Sequence, residues 1–170
     1  EVLYESAISK MLVEEDLFVT SENRYALSML YYAEKRILEF FTRKKDEKNK
    51  KIIATFDEYL IKKQETLGFE LSTEQKKAVE LINNGDKTLF LIGYAGTGKS
   101  TSSRAILELL EETMSYDDIM TIALSGIASQ RIADTTGYNS STIQSLLMKH
   151  KEKDFFPYKA ILLDEASMVN

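Results

Sequence analysis

The chain has 170 residues, 44% of them apolar and 29% charged, with no cysteine, one histidine and a formal net charge of −5. This is an ordinary globular composition, long enough for one domain or one with a small appendage; the missing cysteines exclude disulfides, thiolate zinc sites and a thiol nucleophile and make a reducing, cytoplasmic setting the expected one. A lone His150 excludes a histidine metal cluster, no apolar run approaches the roughly 18 residues of a membrane span, the acidic start is unlike a signal peptide, and the net charge requires any nucleic-acid contact to be local.

In chain order, Tyr4, Ala7, Ile8, Met11 and Leu12 recur at helical spacing. The short apolar runs Leu17 to Thr20 and Tyr25 to Leu27 flank a polar turn, Ser21 to Arg24, as in a small β-hairpin. Met29, Ala33, Ile37, Phe40 and Phe41 mark a second helix, and Ile53, Phe56, Leu60 and Leu67 a third. Between them, Arg43 to Lys51 carries six basic residues against Asp46 and Glu47, the pattern of a solvated helix end or linker. A helix, hairpin, helix order also suits a winged-helix-like DNA contact, although no residue forces it. Only Gly68 among the seven glycines precedes residue 70, so a mainly helical domain over 1–70 and a loop-rich α/β domain over 71–170 are expected.

Ser72 followed by Gln75 is a capping box, and Ala78, Val79 and Ile82 continue a helix that ends at Gly85. Thr88 to Ile92 reads as a buried parallel strand. A glycine loop follows, then a helix from about Lys99 to Glu112 with Ala105, Ile106, Leu109 and Leu110 on its apolar face. Ile119 to Leu124 is a second strand, Ile127 to Thr136 a helix stopped by Gly137, and a further helix starts after Ser140 or Ser141. Ala160 to Leu163, beyond Pro157, is a third strand. Strands alternating with helices predict the parallel sheet of an α/β fold.

Gly93, Tyr94, Ala95, Gly96, Thr97, Gly98, Lys99, Ser100 fits Gly-x-x-x-x-Gly-Lys-Ser/Thr, the phosphate loop or Walker A sequence, at every fixed position. A phosphate chain must be wrapped by backbone N–H groups, and side chains at Gly93, Gly96 and Gly98 would block its approach. The helix that follows adds its positive N-terminal end. Lys99 reaches the β- and γ-phosphates, the Ser100 hydroxyl is placed for Mg²⁺, and Thr101 lies beside the α-phosphate. Asp164 and Glu165 end the run Ala160 to Leu163, and a carboxylate at the C-terminal end of a parallel strand faces the ligand crevice of such sheets. Asp164 is the candidate Mg²⁺ partner. Glu165, with Lys99, is a candidate catalytic residue that orients the attacking water. An Asp-Glu pair after four apolar residues also suits a plain strand terminus, and Gln75 is equally a cap and a candidate adenine contact.

These motifs together resemble the RecD-like branch of superfamily 1 helicases, relatives of the exodeoxyribonuclease V alpha subunit. Leu71 to Val79 resembles the family's adenine-reading glutamine motif, Gly93 to Ser100 its first motif, and Ala123-Leu-Ser-Gly-Ile-Ala-Ser-Gln-Arg-Ile132 the next. Thr142-Ile-Gln-Ser-Leu146 is similar to its Thr-Ile-His-x-Leu, and Asp164-Glu-Ala-Ser-Met168 to its second motif. Tyr31, Tyr32, Ala33, Glu34 and Ile37 resemble a helix that precedes the motor. The resemblance implies a P-loop NTPase with a RecA-like parallel sheet, ATP and Mg²⁺ as ligands, and an ATP-driven helicase moving 5′ to 3′ on single-stranded DNA, with other subunits of a repair or recombination complex as further partners and no membrane role. It assigns Ser125, Gly126, Thr142 and Gln144 to DNA, while Leu124, Ile127 and Gln144 stand where the family has proline, lysine or arginine, and histidine. Two alternatives stay open on the residues: a nucleotide switch of another P-loop family, and a DNA- or partner-binding module whose ATP site is vestigial. The start at Glu1 and the stop at Asn170 fit a piece of a longer protein, whose remaining half would supply charge-stabilising arginines; alone, this part is expected to turn over slowly.

Overall fold

A computed structural model describes residues 2–19, 24–94 and 96–169. The chain divides into two compact units, one running to Asp46 and one spanning Glu47–Val169. The sequence placed this boundary at 70/71. The difference lies in 47–70, whose apolar residues Ile52, Ile53, Phe56 and Tyr59 pack on a cluster formed by Ala78, Val79, Ala105, Ile106 and Leu109.

The first unit holds α1 (Val2–Val13), β1 (Leu17–Val19), β2 (Tyr25–Leu27) and α2 (Ser28–Lys44). β1 and β2 are antiparallel with Phe18 opposite Ala26, as the hairpin reading required, and its turn residues Ser21 to Asn23 lie outside the described residues, as does Thr20. The unit is held by rings: Phe18 stacks on Tyr31 at 3.8 Å between centroids, and Tyr32 meets Tyr31 edge-on at 5.3 Å. Such pairs contribute beyond their buried area.

The second unit begins with α3 (Phe56–Leu67), shorter than the sequence pattern, because Ile53 lies before it in a segment laced to α4 (Thr73–Asn83). Asn83 is fully buried; its Oδ1 accepts from Ile53 N at 2.9 Å and its Nδ2 donates to Ile53 O at 3.2 Å. Asn49 N donates to Gly85 O at 2.7 Å, and a Cβ on Gly85 would lie 2.2 Å from Asn49 O, so no other residue fits there. The basic run is thus partly structural: Lys48 pairs with Asp86 at 3.2 Å, and Lys87 with Glu47 at 3.1 Å.

Beyond the glycine loop come α5 (Lys99–Leu110), β3 (Ile119–Ala123), α6 (Gly126–Thr136), β4 (Ser140–Thr142), α7 (Ile143–Lys149) and β5 (Ala160–Leu163). The three strands form a parallel sheet in the order β4-β3-β5, with Ala123 opposite Thr142 and Ile122 opposite Leu163. β3 is buried along its whole length, as a central strand covered on both faces must be. Ile119 packs with Leu107 and Tyr138 on the α5 side, and Met120 and Ile122 with Leu146 of α7 on the other. This mixed architecture is that of a P-loop NTPase with a RecA-like sheet.

Two sequence expectations are corrected. Thr88 to Ile92 is not a strand among the described residues: Leu89 and Leu91 pack on the α4/α5 core, but Phe90 and Ile92 are 62% and 94% exposed. A buried ladder was expected from the apolar run, and alternation buried only one face. Ser140 to Thr142, expected at a helix start, is β4, and the helix begins after Thr142. No helix among the described residues is long and apolar enough to cross a membrane.

Candidate active site

Gly98 is the residue from which α5 starts. Its φ of 79° is a left-handed conformation that costs other residues about 1–2 kcal/mol, and a Cβ there would lie 2.3 Å from Gln75 Nε2. Gln75 Nε2 donates to Gly98 O at 3.2 Å while its Oε1 accepts from Ser72 N at 2.8 Å. The capping box is therefore real, and the same glutamine ties α4 to the N-cap residue of the phosphate-loop helix. Both halves of its amide are engaged inside the chain, so an adenine contact at Gln75 requires exchange of one of these bonds.

The loop folds around Lys99. Lys99 Nζ donates to Gly93 O and Tyr94 O, both at 2.7 Å, and Thr97 Oγ1 donates to Tyr94 O at 2.9 Å. A Cβ on Gly93 would lie 2.7 Å from Thr97 Oγ1. The loop thus fits an anion-binding cradle: glycines where side chains would intrude, an ammonium at its centre, and a helix N-terminus beneath it. Gly96 is at positive φ, Tyr94 is 89% exposed, Ser100 is exposed and Thr101 half-buried. Ala95 lies outside the described residues.

Asp164 and Glu165 follow β5 directly, at the edge of the sheet where the parallel strands β3 and β4 also end. Asp164 N donates to Ile122 O at 2.9 Å, which extends the β3/β5 pairing to the carboxylate itself. Its Oδ1 accepts from Glu165 N at 3.0 Å. Glu165 has φ 53°, one of two described non-glycine residues at positive φ, the other being Glu15. Strain of this kind collects at functional positions. Arg131 of α6 reaches both acids: its Nη2 donates to Glu165 Oε1 at 3.1 Å and lies 3.7 Å from Asp164 Oδ2. The sequence reading did not single out Arg131. One signal for it existed, since it is the only cation between Arg104 and Lys149. Hard oxygen donors suit Mg²⁺, and the Ser100 hydroxyl and the Asp164 carboxylate are such donors.

The residues assigned to DNA lie at the same sheet edge. Ser125 caps α6, its Oγ accepting from Ala128 N at 3.2 Å, and Thr142 caps α7, its Oγ1 accepting from Ser145 N at 3.1 Å. A hydroxyl that accepts in a cap keeps its O–H for a further acceptor. Gly126 and Gln144 are exposed beside them.

A glycine loop on a helix N-terminus and a carboxylate pair at the strand ends of a parallel sheet define the class: a P-loop nucleoside triphosphatase. Comparison with known proteins narrows it. The AAA domain family profile AAA_30 matches residues 70–170, and the chain belongs to that family, within which its motifs are those of RecD-like superfamily 1 helicases. It is 30% identical over 119 residues to the ATP-dependent RecD2 DNA helicase of Deinococcus radiodurans, covering 66% of this chain and 16% of that protein. It is 31% identical over 112 residues to the ATP-dependent DNA helicase RRM3 of Saccharomyces cerevisiae, covering 59% and 16%. Conjugal transfer protein TraA of Agrobacterium fabrum is 33% identical over 101 residues, with 58% and 9% covered. The chain thus spans about a sixth or less of the length of these relatives.

Proposed function

We propose that this chain is the ATP-binding part of an ATP-dependent DNA helicase that moves 5′ to 3′ on single-stranded DNA. The observation that carries the reading is the loop built around Lys99, with Gly98 closed against Gln75 at the start of α5. In the same reading residues 71–170 are the front of the motor domain, 47–70 pack on it, and the residues up to Asp46 are the appendage.

In this reading Lys99 exchanges its carbonyl partners for the β- and γ-phosphate oxygens, and the N–H groups of Gly96 to Ser100 close around the phosphates. Tyr94, Ala95 and Thr101 complete the wall, and Gln75 meets the base. Ser100 and Asp164 would hold Mg²⁺, which would supply neutralisation of the charge that develops on the phosphoryl oxygens. Glu165 accepts a hydrogen bond from the attacking water and aligns it with the γ-phosphorus. Ser125, Gly126, Thr142 and Gln144 contact the nucleic-acid backbone, where neutral donors position a strand without reading its sequence. The relatives' names support DNA as the track.

The test is ATP hydrolysis by the intact protein with and without single-stranded DNA, followed by unwinding of 5′-tailed and 3′-tailed duplexes. DNA-stimulated hydrolysis and unwinding of the 5′-tailed duplex alone are expected. Hydrolysis indifferent to DNA would favour the nucleotide switch instead.

A further inference from the structure

The Asp164–Glu165 pair is not left to solvent. Asp164 Oδ1 is taken by the Glu165 N–H, so Oδ2 is the oxygen that remains to face outward, and Oδ2 is the one Arg131 approaches. On Glu165 the same guanidinium nitrogen meets Oε1 at 3.1 Å. Two adjacent carboxylates repel, and one planar cation set between them relieves that repulsion while fixing both side chains. The atoms it contacts are those that a hydrated Mg²⁺ and an attacking water need. A metal ion at this site would therefore compete with the guanidinium for one set of oxygens.

Arg131 also has a mechanical address. It lies on α6, whose first turn contains Gly126 and whose cap is Ser125. Arg131 lies six positions along the helix from Ser125, an axial rise of about 9 Å at 1.5 Å per residue. A ligand that pulls on the capped end displaces the guanidinium with it, whereas a side chain on a loop would absorb the movement.

We propose that Arg131 is a positioning residue through which α6 controls the access of Mg²⁺ to Asp164 and Glu165. It holds the carboxylates paired and gives them up as Mg²⁺ and nucleotide arrive, and engagement of the α6 N-terminus eases that exchange. This inference rests on the nucleotide-site reading above.

The experiment is the Mg²⁺ dependence of nucleotide binding by the intact protein, read as fluorescence anisotropy of a non-hydrolysable fluorescent ATP analogue. Arg131→Gln removes the competing charge and lowers the Mg²⁺ concentration at half-maximal binding about two- to fivefold, the size expected of an exposed ion pair. Binding of the analogue in EDTA stays unchanged. Arg131→Lys keeps the charge but cannot span two carboxylates, so its midpoint falls between the other two. Arg131 is 65% exposed, which makes both variants compatible with folding. A midpoint in Arg131→Gln equal to or above wild type overturns the proposal, and does so alone if the wild-type protein binds the analogue in a Mg²⁺-dependent way. Absence of any binding of the analogue by the wild-type protein overturns the nucleotide-site reading and this one with it, whereas binding that Mg²⁺ does not change overturns this proposal alone.

Discussion

Gln75 Nε2 lies 3.2 Å from the carbonyl oxygen of Gly98 and would lie 2.3 Å from a Cβ on that residue. One side chain thereby joins the capping box of α4 to the N-cap residue of the phosphate-loop helix. Gly98→Ala meets two obstacles at once, the left-handed φ and the glutamine amide. The glutamine can swing away, but its bond to the loop is then lost. The variant should unfold about 1–2 kcal/mol more easily and bind ATP at least about tenfold more weakly. Thermal unfolding and calorimetric ATP titration check both parts; unchanged binding would show that the contact does not shape the loop.

Asn83 gives a test of the fold away from the site. It satisfies both backbone groups of Ile53 from a fully buried position and so fastens the segment before α3 to α4. Asn83→Ala leaves an N–H and a carbonyl without these partners and should cost about 2–3 kcal/mol in urea unfolding. A loss near zero would mean that 47–55 is not held by this residue.

The capping box, α5, the phosphate loop, β3 and β5 were legible because each is a local pattern: a cap, a helical period, a fixed motif or an apolar run. What the sequence hid depends on partners distant along the chain. β4 is three hydroxyl residues with no apolar signal, and it is a strand only because β3 offers its backbone. Thr88 to Ile92 carries a strand's composition but has no ladder among the described residues. The second compact unit reaches back to Glu47 because Ile52, Ile53, Phe56 and Tyr59 pack on α4 and α5, contacts that a glycine count cannot register. Arg131 was missed because it meets its carboxylates across 33 and 34 residues of chain.

His150 sets an acid limit on stability. It is 6% exposed at the end of α7, edge-on to Phe156 and Tyr158 at 5.8 and 5.9 Å, and neither ring nitrogen has a hydrogen-bond partner among the described residues. Burial, then Lys153 and Lys149, lower its pKa from the ordinary 6.5. Below pH 6.5 the unfolded chain takes up a proton that the folded chain resists, so stability falls as pH drops from 6.5 towards the lowered folded value. Asp118, held below its ordinary 3.8 chiefly by the Lys159 ammonium, loses its contribution only in a more acidic window. His150→Phe keeps the ring packing without the titration, and its unfolding free energy should vary less between pH 6.5 and 5. An unchanged pH dependence would rule His150 out as the group responsible.

In the proposed reading Glu165 serves the chemistry and not binding. Glu165→Gln should lower steady-state ATP turnover of the intact protein by about 10²–10⁴ while leaving ATP affinity within a few-fold of wild type. Turnover close to wild type would remove Glu165 from the water-activating role and leave it as the end of a strand.

The central claim is that the loop around Lys99 binds the phosphates of ATP. Among the described residues Lys99 Nζ donates to carbonyls of the loop itself and Lys99 is in none of the core clusters, so Lys99→Ala leaves the core of α4, α5 and the sheet untouched. The most direct measurement is calorimetric titration of ATP with Mg²⁺ into the wild-type chain and Lys99→Ala, with circular dichroism melts of both. Saturable one-to-one binding by the wild type, weakened at least about tenfold in Lys99→Ala at an unchanged melting temperature, is the predicted result. Equal binding by the two folded proteins, or none by the wild type, would contradict it.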